Sequence, residues 1–168
     1  ELIVGNDHAL GTSGVTLNSG ATLSFGEDGL NLANDFTLNG IANFTTNAGQ
    51  TGTISGVIGD GSASDTLDFI GDGKLVLTGV NTYTGATYID SGTLALSGAG
   101  SIASSSGVDL CYCGTFDISG TNNGATIQDL SGEGVVELGD KTLTISNAAG
   151  LLDYAGVIQG AGGLAISG

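Results

Sequence analysis

Short runs in which every second residue is apolar set the strongest limit on how this 168-residue chain folds. In one example, Leu143 and Ile145 flank Thr144. A two-residue period with one apolar face is typical of a β-strand, and no window of about eleven or more residues carries a sustained helical stripe. Gly, Asn, Asp and Ser bound the runs and favour tight turns. The pattern therefore predicts an all-β chain of many short strands. It recurs at Val15/Leu17, Leu23/Phe25, Leu30/Leu32, Phe36/Leu38, Leu75/Leu77, Leu94/Leu96, Val136/Leu138 and Leu164/Ile166.

The strand segments also resemble one another. Leu75–Gly79 is similar to Leu94–Gly98 and to 164–168. Such self-similarity indicates a solenoid or a propeller. In a β-solenoid each coil pairs with the coils above and below it at about 4.8 Å, so few sheet edges need the protection that Lys or Pro would give. At roughly 20–25 residues per coil, the chain is expected to form about seven or eight coils in one continuous unit.

Two further pairs of similar segments lie farther apart in the chain. Ser55–Gly59 is similar to Ala155–Gln159, and Gly14–Leu17 is similar to Gly107–Leu110. The members of these pairs are separated by 100 and 93 residues respectively. This spacing predicts a long repeat of about that length, built from the short strand units.

Charge and composition exclude several classes of protein. Two lysines, no arginine and 17 carboxylates give a formal net charge of −15. Such a chain will not neutralise phosphates, so we expect no nucleic-acid partner. A hydrophobic content of 40% argues against disorder. No stretch approaches the roughly 20 apolar residues that span a bilayer, so we expect no membrane insertion by these residues. The first residues do not show the charged-then-apolar pattern of a signal peptide, and we expect any targeting signal to lie in a part of the protein outside residues 1–168.

One segment has a specific resemblance. Residues 71–94 read GDGKLVLTGVNTYTGATYIDSGTL. This stretch resembles the passenger-associated transport repeat of bacterial autotransporters, whose pattern is G-x-G-x-L-x-L-T-G-x-N-T-Y-T-G-x-T-x-I-x-x-G-T-L. We assign a transport-repeat segment to residues 71–106. A second, partial copy is assigned to residues 156–168.

The resemblance to autotransporter passengers of the AIDA/pertactin-like adhesin type implies a right-handed, single-stranded parallel β-helix over residues 1–168. It implies a fragment of a longer passenger, exported across the outer membrane to the bacterial cell surface. The implied function is adhesion to host cells or matrix, or bacterial self-association through a wall of the β-helix. A non-binding stalk or secretion-promoting segment is the main alternative. A β-helical polysaccharide-degrading enzyme is a weaker one, because the chain has no clustered acid, base and metal groups; we expect no enzymatic activity and no cofactor.

The central residues of the repeat are best explained by a structural role. They are Asn81, Thr82, Tyr83, Thr84 and Gly85. Asn81 is expected at a coil corner. Tyr83 is expected to pack its ring beside the neighbouring coil with its hydroxyl at the rim. The alternative is a ligand site built on Asn81 and Tyr83.

Cys111 and Cys113 flank Tyr112 and form the most unusual local feature. In an extended strand their Cα atoms would lie near the upper limit for a disulfide, and a bend at Gly114 would shorten the distance. In an exported protein a disulfide is the natural expectation. Two buried free thiols, or a redox or metal role, are the alternatives.

Few other residues are candidates for chemistry. His8, the single histidine, lies in a turn segment with no G-x-S-x-G motif in the chain, which predicts a solvated turn residue. A second group of candidates is predicted to form solvated loops, with weak Ca²⁺ binding or carboxylate-pair hydrolysis as alternatives. Its members are Asp60, Asp65, Asp68 and Asp72.

Overall fold

The computed structural model describes residues 1–147 and 153–167, and in these ranges it contains strands, turns and bends but no helix. In the part of the chain that is described, no helix has the length and apolarity needed to cross a membrane. The strands are β1 Leu2–Val4, β2 Val15–Asn18, β3 Thr22–Phe25, β4 Leu30–Leu32, β5 Phe36–Asn39, β6 Ile41–Thr46, β7 Thr51–Ile54, β8 Ile58–Asp60, β9 Thr66–Phe69, β10 Lys74–Leu77, β11 Thr87–Gly98, β12 Val108–Thr121, β13 Ala125–Ile127, β14 Leu130–Gly132, β15 Val135–Glu137, β16 Thr142–Ile145, β17 Val157–Gln159 and β18 Gly163–Ile166.

The strands stack into three parallel walls, which we call faces 1, 2 and 3. Face 1 consists of β1, β3, β6, β9, the first parts of β11 and β12, and β14. Face 2 consists of β4, β7, β10, the later parts of β11 and β12, β15 and β17. Face 3 contains β2, β5 and β8 and, farther along the chain, β13, β16 and β18. The chain visits the faces in the order 1, 2, 3, and this winding makes a β-solenoid of about 8 turns.

The coil length agrees with the prediction from sequence. Ile41 pairs with Thr66, 25 residues later, and Ala125 pairs with Leu143, 18 residues later. The other pairs of strands have separations between these values. The predicted all-β parallel solenoid is therefore confirmed. A right-handed winding follows the general preference of parallel β crossovers.

Inward-facing apolar residues form continuous ladders inside the solenoid. On face 2, Leu75, Leu94, Phe116 and Val136 succeed one another across neighbouring coils, and all four are fully buried. Phe36 and Phe44 meet edge to face, with ring centroids 5.9 Å apart. Each such burial contributes about 1.5–3 kcal/mol. The alternation seen in the sequence is thus the alternation between the core and the outer walls.

The predicted long repeat is wrong. Ser55–Gly59 leads into face 3, whereas Ala155–Gln159 contains the face 2 strand β17. Gly14–Leu17 belongs to face 3, and Gly107–Leu110 belongs to face 1. These segments are alike because each is a strand following a tight turn, whichever face it joins. The true period is the single coil.

Face 3 is interrupted in the middle of the molecule. Between β8 and β13 it carries no strand. Its neighbouring coils are joined there by an isolated bridge between Val80 and Ser101 and by separate backbone hydrogen bonds, such as that from the Thr82 N–H to the Ile58 carbonyl oxygen at 2.8 Å. The central residues of the transport repeat, 81–85, occupy this gap. The proposed extent of the unit, residues 1–168, stays a prediction because 148–152 and 168 lie outside the described residues.

Candidate functional site

Alternate residues in the central part of the transport repeat face the interior of the solenoid. Asn81, Tyr83, Gly85, Thr87 and Ile89 are all buried, while the residues between them are exposed or half-buried. Asn81 is 2% exposed and Tyr83 is 0% exposed. Neither side chain is available to a ligand in solution. The repeat motif is therefore a set of packing and hydrogen-bonding positions.

Asn81 replaces the missing strand on face 3 with side-chain hydrogen bonds. Its Oδ1 accepts a hydrogen bond from the backbone N–H of Ile58 at 2.9 Å. Its Nδ2 donates to the carbonyl oxygens of Gly79 and Ser101, both at 3.1 Å. One amide thus joins its own coil to the coils on both sides, which explains the requirement for Asn. The sequence prediction of a corner residue did not foresee this bridging role.

Tyr83 begins a buried chain of hydroxyl groups. The Tyr83 hydroxyl and Thr87 Oγ1 share a hydrogen bond of 2.7 Å, and Thr87 Oγ1 lies 3.0 Å from Ser105 Oγ. Ser105 Oγ also donates to the carbonyl oxygen of Gly85 at 2.8 Å. Burial strongly raises the pKa of Tyr83. The prediction that its hydroxyl lies at the rim is wrong: this chain of partners satisfies the hydroxyl inside the core.

The other three residues of the motif are Thr82 and Thr84, which lie on the surface, and Gly85, which lies where two coils approach closely. Thr82 and Thr84 are exposed. The Thr84 hydroxyl donates to Asp60 Oδ2 at 2.6 Å and accepts from the Ser64 N–H at 3.0 Å. Gly85 is buried, and a Cβ at this position would clash with the backbone of Asp65. The close approach of two coils therefore requires glycine.

The four aspartates that the sequence analysis grouped together, at positions 60, 65, 68 and 72, have different environments in the structure. Asp65 is 2% exposed and accepts the N–H groups of Gly40, Gly61 and Ser62 at 2.6, 2.9 and 2.7 Å. Hydrogen bonds, led by that from the Ser62 backbone, lower the pKa of Asp65 although desolvation opposes them. The prediction of a solvated loop is thus wrong for Asp65 and correct for the exposed Asp72. Within residues 1–147 and 153–167 there is no group of three or more His, Cys, Asp or Glu residues able to hold a metal ion.

Asp68 is the most unfavourably placed of these carboxylates. Its Oδ1 is buried without a hydrogen-bond partner, although the residue as a whole is half-buried. Desolvation, together with the charge of Asp90, raises the pKa of Asp68 to about 6. His8 lies exposed in a turn, as predicted.

Several corner carboxylates join consecutive coils, a role that sequence reasoning missed. Asp7 accepts the N–H of Asn31, Asp28 that of Thr51 and Asp35 that of Val57, each at 2.8 Å. In each pair the donor lies one coil farther along the chain. Asp7 and Asp28 both lie in turns and are 21 residues apart, about one coil length, which is the sequence signal that could have revealed that pair.

Cys111 and Cys113 lie at the corner between faces 1 and 2, where the register of β11 and β12 is irregular. Ile89 pairs with Leu110 and Ser91 pairs with Cys113, so Asp90 alone lies opposite two residues. Both cysteines are free and exposed, which contradicts the alternative of buried thiols. The predicted disulfide between them is an open prediction.

The outer walls differ in charge. Outward positions on face 1 include Asp68 and Asp109, and those on face 2 include Lys74, Asp117 and Glu137. Lys74 Nζ lies 2.9 Å from Asp117 Oδ2. Face 3 presents uncharged side chains at its outward strand positions in the described residues. These are Thr16, Asn18, Thr37, Asn39, Gly59, Thr126, Thr142, Thr144, Gly163 and Ala165. Among the described residues, its strands carry one carboxylate, that of the half-buried Asp60 at the end of β8, which accepts hydrogen bonds from Thr84.

Face 3 also carries a shallow groove of about 420 Å³. Small and polar residues line it, among them Ser101, Asn122, Asn123, Thr126 and Thr144, and none of the lining residues is charged. Asn39 Nδ2 donates to Asn18 Oδ1 at 3.0 Å elsewhere on this face, which shows how its amides align between coils. Face 3 is therefore a wall of hydroxyl, amide and small side chains whose outward strand positions carry no charge in the described residues.

Comparison with known proteins gives two findings. The family described as passenger-associated-transport-repeat matches residues 70–96. The chain is also 36% identical over 158 residues, covering 88% of its own length, to a protein named adhesin BmaC autotransporter from Brucella suis biovar 1 (strain 1330). The chain spans 4% of the length of that relative. No solved structure matches the chain.

The family match covers the segment in which Asn81, Tyr83 and Gly85 hold the coils together. The predicted partial copy at 156–168 is not covered by this match, and residue 168 lies outside the described part. The similarity to the adhesin extends over most of the chain, beyond the repeat itself. This chain is autotransporter passenger sequence that contains a passenger-associated transport repeat at residues 70–96.

Proposed function

We propose that the chain is a surface-exposed passenger segment that acts in adhesion, either to host cells and matrix or to further copies of itself. Similarity to autotransporter passengers implies export to the cell surface. The finer proposal is export across the outer membrane of a bacterium, followed by folding outside the cell. The observation that carries the adhesive function is the similarity to a relative named as an adhesin.

The wall that we assign to adhesion is face 3. Its outward strand positions bear hydroxyl, amide and small side chains without charge. Faces 1 and 2 carry carboxylates on a molecule whose net charge is already −15. Contact with a large surface favours groups that can be desolvated cheaply, and uncharged donors and acceptors cost less to desolvate than carboxylates.

A binding assay tests the proposal. The purified chain is applied to host cells and to immobilised matrix proteins at physiological salt, with an unrelated acidic β-solenoid as the control. Saturable binding above the control is expected. Binding equal to the control, together with no self-association, would contradict the adhesive function.

A non-binding stalk or secretion-promoting segment is the second candidate. The observation in its favour is that Asn81 and Tyr83, the most characteristic residues of the repeat, are buried and serve stacking of the coils. Such a segment should leave the adhesion of a longer passenger intact when outward Thr and Asn residues are replaced by Ala. An adhesive segment should lose binding in the same variants.

A non-enzymatic role is the expectation for this chain, because the relative is named as an adhesin. The polysaccharide-degrading alternative requires clustered catalytic groups. In the described ranges the acidic residues Asp60 and Asp65 are instead engaged by backbone N–H groups. We therefore propose adhesion and not hydrolysis.

A further inference from the structure

The corner formed by Cys111, Tyr112 and Cys113 interrupts strand β12 with three successive exposed residues. On either side of this corner, at 108–110 and 114–118, buried residues of β12 alternate with half-buried ones. Tyr112 is 80% exposed. The cause is the bulge, in which Cys111 and Tyr112 together lie opposite Asp90. Bulges that redirect side chains recur at functional positions.

The two thiols have different surroundings. Cys111 Sγ lies 3.7 Å from Asp90 Oδ1 and donates a hydrogen bond to it. Cys113 has no hydrogen bond to a carboxylate among the described residues. Three titratable groups lie near Cys111: Asp90 on β11, and Asp109 and Cys113 on the same strand as Cys111. Glu133 lies on the next coil, where its backbone N–H donates to the carbonyl oxygen of Leu110. Lys74 is engaged with Asp117 on face 2.

We propose that Cys111 and Cys113 form an exposed dithiol that undergoes thiol–disulfide exchange with a small disulfide and closes to a disulfide within the chain. The bulge leaves both cysteines exposed, and its extra residue interrupts the regular strand geometry between Cys111 and Cys113. Both features favour an approach of the two sulfur atoms that a straight strand would not allow. The proposal is independent of the adhesive function.

The reaction takes place in two balanced steps with oxidised glutathione as the oxidant. The Cys113 thiolate attacks one glutathione sulfur, which forms a mixed disulfide and releases one glutathione thiolate. Cys111 then loses its proton to solvent and attacks Cys113 Sγ, which forms the bond between the two cysteines and releases the second glutathione. The protein loses two electrons and two protons, and one glutathione disulfide becomes two thiols.

The carboxylate of Asp90 beside Cys111 determines which thiol we expect to attack first. Desolvation and the neighbouring Asp90 raise the pKa of Cys111, so the reactive thiolate is scarce at neutral pH. Cys111 Sγ also donates a hydrogen bond to Asp90 Oδ1, and Cys113 makes no such bond among the described residues, so we expect Cys113 to react first. The second step accelerates as the pH rises from neutral, because the Cys111 thiolate becomes more abundant.

The test uses the whole chain in a glutathione redox buffer, followed by acid quenching and mass spectrometry. The wild type should lose two hydrogens and retain no glutathione. Cys111→Ser and Cys113→Ser, which should fold normally because both sites are exposed, should each retain one glutathione, and Cys111→Ser should acquire it several-fold faster at pH 7. Two glutathione adducts on the wild type, a disulfide-linked dimer or no reaction would overturn the dithiol, and a faster Cys113→Ser would overturn the order of attack.

Discussion

Asn81 shows how one buried polar side chain can connect neighbouring coils of the solenoid. It lies where face 3 lacks a strand, and its three side-chain hydrogen bonds connect three successive coils. Because it is 2% exposed, water cannot replace a lost partner. The position therefore needs a side chain that both accepts and donates hydrogen bonds, as the amide of asparagine does.

Replacement of Asn81 by Ala should destabilise the chain by about 3 kcal/mol, because it leaves buried backbone groups without partners. Asn39→Ala is the matched control: Asn39 is an exposed asparagine with a single hydrogen bond to Asn18, and its loss should cost less than about 1 kcal/mol. Urea denaturation measures both. Equal effects would show that Asn81 has no special role.

Asp68 provides a pH-dependent prediction at the same scale. Its folded-state pKa of about 6 lies above the usual aspartate value of 3.8, so the ionised carboxylate opposes folding. The resulting penalty is absent below the unfolded pKa and develops as the pH rises through about 6. Asp68→Asn should thus stabilise the chain by about 1 kcal/mol at pH 8, after allowance for solvent screening, and by almost nothing near pH 4. A gain that is the same at both pH values would contradict this account.

At the scale of the strands, sequence reasoning succeeded where the period-two pattern is strict. The strands around Leu75 and Leu94 are predicted by apolar alternation alone, and the two residues occupy neighbouring rungs of one ladder. The same local pattern failed to distinguish the faces, because a strand after a tight turn looks alike on every face. The packing of the Tyr83 ring was predicted, but the burial of its hydroxyl was missed because its partners Thr87 and Ser105 are brought together only by the coil geometry.

Close stacking of coils gives a prediction for glycine. Gly85→Ala should cost about 3 kcal/mol, because its new Cβ would meet the backbone of Asp65 and force two coils apart. Gly5→Ala is the control, since a Cβ there meets nothing within 4 Å, and its effect should stay within about 0.5 kcal/mol. Thermal unfolding of the two variants should separate them clearly. A tolerated alanine at position 85 would exclude steric contact as the reason for glycine.

At the scale of the whole molecule, charge opposes self-association. Each copy carries a formal charge of −15, so two copies repel one another at low ionic strength. If face 3 pairs with face 3, its uncharged contacts are insensitive to salt while the repulsion is screened. Self-association should therefore strengthen between about 0.01 M and about 1 M salt, where the Debye length falls from about 30 Å to about 3 Å. Sedimentation velocity measures this, and dissolution of the oligomer by salt would indicate ion-pair contacts instead.

The general class of the molecule could be read from the sequence, but the assignment of a wall could not. The transport repeat and the apolar alternation together predict a passenger solenoid. Identification of face 3 as the uncharged wall requires the register, because Thr37 and Thr53 both stand between apolar or small residues in sequence yet lie on different faces.

The central claim is that face 3 is the adhesive wall, and a pair of charge-matched variants tests it most directly. One variant carries Thr37→Glu, Thr126→Glu and Thr144→Glu on face 3. The other carries Thr53→Glu, Thr93→Glu and Thr115→Glu on face 2, with the same added charge. Binding of the two to host cells and matrix at physiological salt is compared after circular dichroism has shown both to be folded. The account predicts that the face 3 variant loses binding and the face 2 variant retains it; equal binding by both, or loss in the face 2 variant alone, would contradict it.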